Sequence, residues 1–162
     1  LTVAANGINA KMSELHSAVG LAQIPLVDWA IKERQRVALL YKKELSDQPD
    51  LILPDFSQAL RCNYAYMPVR VARASANYRD MLVDHLRLFG IVPRRYFFPL
   101  ISDYQYYRSR NSSLTTDCSV ASRVSREILC LPIFPDLASE DVIRICDIIK
   151  NFLASSHSYR QA

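Results

Sequence analysis

With 162 residues the chain has the length of one ordinary domain, enough to bury a single main core and too short for two. Half of it is hydrophobic and 22% charged, and no apolar run approaches the roughly 18 residues of a membrane-spanning helix, so disorder and a transmembrane class are excluded. The 20 Lys plus Arg against 16 Asp plus Glu leave a formal charge of +4 spread along the chain, and only three glycines are present, which excludes the clustered-glycine turns of Rossmann and P-loop sites.

Ser13 is placed as the N-cap of a first helical stretch that Leu15, Val19 and Gln23 begin and that runs to about Pro25, which breaks or kinks it. From there Val27, Ile31, Ala38, Tyr41 and Leu45 follow helical spacing and predict the apolar face of a long amphipathic helix, with Lys32, Arg34, Arg36 and Lys43 opposite. Ser46 to Asp50 ends it, and Pro49 and Pro54 mark a loop. Asn63 to Val71 reads as a strand in which Pro68 implies an edge or a bulge. Ser75 or Asn77 can cap the next helix, whose Tyr78, Leu82, Leu86 and Phe89 share one face until Gly90 supplies a left-handed stop.

Ile91 to Phe98 reads as a short strand with a turn at Pro99, and Ser102 to Thr116 as a polar loop whose length hints at function. Asp117 is placed as the cap of a short helix carrying Val120, Val124 and Ile128, followed by a brief strand from Leu129 to Ile133. Ser139 is the expected cap of a last helix with Val142, Ile145, Cys146, Ile149 and Phe152 on its core face, and the tail from Ser155 is expected to fray. The fold class is α/β in the α+β sense: a small, mainly antiparallel sheet covered by helices and preceded by a long helical arm. The domain reading is an arm over 1–46, a small α/β domain over 47–154 and a tail over 155–162.

Residue types alone point weakly to chemistry. His16, His85 and His157 have no ligand spacing, the four cysteines form no C-x-x-C pair, and G-x-S-x-G is absent, so no metal site or nucleophile is placed. Free thiols and the lack of a secretory signal fit a reducing cytoplasm, and the polar start after Leu1 is expected to mark the remaining part of a longer protein. Glu140-Asp141 and Asp80 with Asp84 read as helix-start and solvated-face charges. Two segments stand open between a structural and a binding reading. Gly7 to Leu15, with Asn9 and Lys11, is either a capped helix start or a set of donors for an anion. Arg94-Arg95-Tyr96-Phe97-Phe98-Pro99-Leu100 is either a decorated strand edge or a cationic and aromatic site, sized for a small anion better than for nucleic acid.

Four stretches in order, G-I-N-A-K-M-S-E-L-H-S-A-V-G-L-A-Q, N-Y-A-Y-M-P-V, G-I-V-P-R-R-Y-F-F-P-L and I-L-C-L-P-I-F-P-D-L, resemble the carboxyl-terminal part of the DegT/DnrJ/StrS sugar aminotransferases. The resemblance implies the end of a fold type I pyridoxal-phosphate (PLP) transferase that works as a homodimer on nucleotide-sugar and glutamate substrates, with no nucleic acid and no membrane partner. It assigns Asn9 to the cofactor phosphate of the neighbouring subunit, Lys11 to the sugar-nucleotide diphosphate, and Arg94 and Tyr96 to the border of the substrate site. Pro93 and Ile101 depart from the threonine and histidine of many members and place the chain nearer those reading R-x-Y-F-x-P-L-I-S-D, a subgroup that includes enzymes aminating dTDP-4-keto-6-deoxy sugars. None of the five lysines matches the Schiff-base lysine, so the chain alone is expected to be inactive. The alternative is a free-standing α/β module that keeps the small-domain fold for binding or assembly.

Overall fold

A computed structural model of the chain describes residues 10–58, 61–72, 77–108 and 118–158. Asn9, Ser75, Asp117 and residues 159–162 lie outside the described residues. Helix α1 (Glu14–Gln23) starts as expected at Ser13, whose Oγ accepts the His16 N–H at 3.3 Å, and passes through a 3-10 turn at Ile24–Leu26 into α2 (Val27–Leu45). Pro25 sits in that turn, where its missing N–H is not needed.

No residue of α1 is buried: Leu15 is 74% exposed, and Val19 is exposed with it. Val27 is exposed as well; Ile31 is partly buried against the core, and the second half of α2, through Val37, Ala38, Tyr41 and Leu45, enters it. That half packs on α6 (Ser139–Ser158), which presents Val142, Ile145, Cys146, Ile149 and Leu153 at helical spacing. Of the helical arm of the sequence reading, α1 is thus exposed and the second half of α2 is part of the core. The last helix continues to Ser158, past the Ser155 at which the tail was expected to begin.

The sheet has three antiparallel strands in the order β1 (Leu51–Ile52), β2 (Met67–Val71) and β3 (Ile128–Leu131). Met67, Val69 and Val71 face the core in strict alternation. Pro68 was expected at an edge or bulge, and β2 is the middle strand. The two facts agree because β1 reaches only Arg70 and Val71, leaving the flank of Pro68 unpaired on that side. On the other side Pro68 faces Cys130, whose N–H and C=O both turn away to Arg94, so no donor is required of the proline. The strand stops short of Asn63 because the Asn63 side chain accepts the Ala65 N–H and Tyr64 has φ +49°, a turn conformation.

Helix α3 (Tyr78–Leu88) buries Tyr78, Leu82, Val83 and Leu86, and ends at Gly90 with φ +75°. The Ile91 N–H reaches back to Leu86 O at 3.1 Å, closing the left-handed stop foreseen there. Phe89 is outside the core, 45% exposed. The expected strand from Ile91 to Phe98 does not form. Pro93 removes one donor, and the Phe98 N–H closes a turn on Arg95 O at 2.9 Å, so only Arg94 pairs with the sheet. At the start of the loop expected over Ser102 to Thr116, Ile101–Asp103 form a 3-10 turn and α4 (Gln105–Arg108) a single helical turn, while 109–116 lie outside the described residues. Helix α5 (Ser119–Glu127) leads directly into β3. Among the described residues no helix is long and apolar enough to cross a membrane.

Candidate functional site

The segment from Arg94 to Phe98 is held at both ends by different parts of the fold. At its start the backbone of Arg94 makes two hydrogen bonds with Cys130 of β3, 3.0 Å and 2.7 Å long. At its far end the Phe98 ring lies 4.9 Å from the Arg79 guanidinium of α3. Between them, the exposed Arg94 guanidinium donates to the Tyr96 hydroxyl. Tyr96 stacks on Phe97 at 5.1 Å and meets Tyr66 edge to face at 5.7 Å.

Of these side chains Tyr66, Arg94 and Tyr96 rim a cleft of about 250 Å³ whose floor includes Cys130, Pro132 and Ile133. The floor is neutral: burial pushes the Cys130 thiol up, against a smaller opposing effect of a Tyr96 backbone hydrogen bond, so it stays protonated near neutral pH. Among the described residues no carboxylate pairs with Arg94, whereas Arg70, Arg79 and Arg95 each hold one. One fixed cation beside aromatic faces suits an anion attached to a flat or apolar body. Tyr96 also lines a second, wider cavity of about 670 Å³ with Phe97, Phe98, Leu100, Ile101 and Tyr104.

The structure brings Arg94 and Tyr96 together and leaves Lys11 apart, exposed just ahead of α1. Asp80 was read as a solvated-face charge. Its Oδ1 instead accepts from Arg79 Nε at 2.8 Å and from Arg95 at 3.0 Å, while Asp84 does pair on the surface with Arg87. Arg79, Asp80 and Tyr66 were not anticipated around this site. One signal was available for Arg79: a cation in the first turn of a helix opposes the dipole there, and such a residue needs another reason to be present.

Cofactor-holding groups are sparse. Lys150 donates to Glu44 at 3.2 Å; burial opposes its charge, but that hydrogen bond and the Glu44 charge raise its pKa, the reverse of what an imine-forming amine needs. Lys11, Lys32 and Lys43 are exposed, Lys42 stands 4.0 Å from Asp55, and no lysine lines the cleft or the wider cavity. The described residues therefore form a rim and do not make a cradle for pyridoxal phosphate. Among them no cluster of His, Cys, Asp and Glu fit for a metal ion occurs.

A family profile described as the DegT/DnrJ/EryC1/StrS aminotransferase family matches residues 2–150. Over 149 residues the chain is 34% identical to a dTDP-4-amino-4,6-dideoxy-D-glucose transaminase of Escherichia coli, covering 92% of this chain and 40% of that protein. It is 27% identical over 146 residues to a GDP-perosamine synthase of Escherichia coli O157:H7, covering 90% and 38%. The fold is similar to that of DesI, solved in the presence of its TDP-sugar product, with a TM-score of 0.83 at 24% identity over 96% of this chain and 39% of that one. The chain spans about 40% of the length of these relatives.

Proposed function

The chain belongs to the DegT/DnrJ/EryC1/StrS aminotransferase family, and on that premise we propose that it is the carboxyl-terminal part of a PLP-dependent nucleotide-sugar aminotransferase. The whole enzyme would move an amino group from glutamate to a keto-deoxy sugar nucleotide. Pyridoxal phosphate, when bound in such enzymes, supplies the electron sink for the transfer. This chain's own residues bind and orient. The observation that carries the reading is Arg94: an exposed guanidinium, set by the Tyr96 hydroxyl and without a carboxylate partner among the described residues, stands on the rim of an otherwise neutral cleft. In this reading Arg94 and Tyr96 border the sugar nucleotide and Lys11 holds its diphosphate. Asn9 donates to the cofactor phosphate across a homodimer, and the 162-residue chain alone is inactive.

Sequencing upstream of the Leu1 codon and assaying the complete reading frame tests the proposal. The expected product aminates a dTDP-4-keto-6-deoxy sugar with glutamate, and Arg94→Ala lowers its kcat/KM by about ten- to hundredfold, as for one lost hydrogen bond to a charged group. Asn9→Ala should weaken PLP binding by a similar factor. Amination by the 162-residue chain alone, or full activity of Arg94→Ala, would defeat the proposal. A stop codon directly upstream, with no second gene supplying the remainder, would favour the non-catalytic module.

A further inference from the structure

We infer that Arg79 and Asp80 are positioning residues: Arg79 through Phe98 and Asp80 through Arg95 clamp the Arg94–Phe98 segment on either side of Tyr96 and so hold the Tyr96 hydroxyl and the Arg94 guanidinium in place on the cleft rim. That a nucleotide sugar meets this rim rests on the function proposed above; the clamp itself stands on geometry. The Arg79 side chain is only 3% exposed, a burial that a guanidinium tolerates when its donors are used. One terminal nitrogen donates to Ser125 O at 3.1 Å and Ile128 O at 2.8 Å, and Nε donates to Asp80 Oδ1. Ser125 O belongs to the last turn of α5, where carbonyls lack partners within the helix and a cation complements the dipole. Arg79 thereby ties the start of α3 to the end of α5 and the first residue of β3.

Two contacts pass from this fixed point to the rim segment. The Phe98 ring lies against the buried guanidinium, and the same Asp80 oxygen that accepts from Arg79 also accepts from Arg95. With the Arg94 backbone pinned to Cys130, the segment is anchored at Arg94 and Arg95 before Tyr96 and at Phe98 after it. Neither Arg79 nor Asp80 lines the cleft, so their influence on it passes through the segment.

Amide hydrogen exchange of the 162-residue chain tests the clamp. The Phe98 N–H, bonded to Arg95 O, reports the far anchor; the Arg94 and Cys130 amides report the near one. The α6 amides from Val142 to Leu153 report global unfolding. Arg79→Lys keeps the charge and loses the fork. It should speed Phe98 exchange at least about tenfold while Cys130 and α6 amides change less than about twofold, as for a local opening. Arg95→Gln cuts the bridge from its exposed end without emptying the buried site, and it should act on Phe98 in the same direction even if Arg79→Lys does not fold. Unchanged Phe98 exchange in Arg95→Gln, or a parallel rise at Phe98 and α6, overturns the clamp. A separate titration with dTDP-glucose, followed by the Arg94 side-chain Nε–H signal, addresses the functional reading. A signal that shifts in the unmodified chain and at least about threefold less in Arg95→Gln supports positioning of the rim. Equal shifts in both overturn it, and no shift in either counts against the sugar-nucleotide reading while the exchange result still decides the clamp.

Discussion

Tyr41→Phe is expected to stabilise the protein. Tyr41 is fully buried at the packing of α2 on α6, and its hydroxyl has no hydrogen-bond partner among the described residues. A buried hydroxyl left without a partner costs about 1–3 kcal/mol relative to one that is paired or in water. Removing the oxygen leaves a void on the order of 10 Å³, which costs about 0.2 kcal/mol at about 24 cal/mol per Å³. The ring and its contacts stay in place, so the balance is a gain of about 1–3 kcal/mol. For a domain of this size that corresponds to a rise in Tm of roughly 3–9 °C. Urea and thermal unfolding followed by far-ultraviolet circular dichroism measure it directly. The m-value should not change, because the surface exposed on unfolding is nearly the same. A loss of about 1 kcal/mol or more in Tyr41→Phe would show that the hydroxyl is satisfied in solution and refute the reasoning.

Ellman's reagent at neutral pH should label Cys118 first, Cys62 more slowly, and Cys130 and Cys146 only after unfolding, an order that follows their exposure; early labelling of Cys146 would contradict the α2–α6 packing. Burial pushes the Cys146 thiol from 9.0 to about 12, so the folded state keeps a proton that the unfolded chain releases. Its contribution to stability is complete below about pH 9 and is lost as pH rises toward 12, and Cys146→Ala should show a shallower alkaline fall in the urea midpoint than the unmodified chain. Trp29 is the single tryptophan, 48% exposed near the apolar α1–α2 junction with Leu21, Ile24 and Leu26. Its emission should shift to shorter wavelength as the isolated chain is concentrated and self-associates; constant emission with a monomeric mass by light scattering would argue against an adhesive face.

Element types were legible where local chemistry and packing agree. Ser13 capped α1, Gly90 ended α3, and the spacing of Val142, Ile145, Cys146 and Ile149 marked the face of α6, because each signal depends on neighbours within a turn or two. The segment after Gly90 misled for the opposite reason. Its Val, Tyr and Phe content favours a strand, but two prolines and a turn leave it one bridge to β3, and the partner of that bridge is a long-range fact that the prolines do not mark. β1 was missed because two residues are too few to show a pattern. Of the candidate site, Arg94 and Tyr96 were visible as a cation and an aromatic two positions apart. Their support by Arg79 and Asp80 was not visible, since it links positions 15 or more residues apart through tertiary contact. Asp80 and Asp84 look alike in sequence, and the buried Arg79 guanidinium and the arrival of Arg95 separate them.

The backbone pairing of Arg94 with Cys130 has a bearing on solubility as well. β3 has β2 on one side, and on the other its Cys130 N–H and C=O are covered by a residue of the cleft rim. A hydrophobic strand of sequence ILCL with that side bare would offer a template on which another chain could add as a further strand. The segment that presents a cation to the cleft thus also shields the sheet from its copies. Changes that release it should produce aggregation in the same variants that lose ligand, so low soluble yield and weak binding would travel together without any fault in the core.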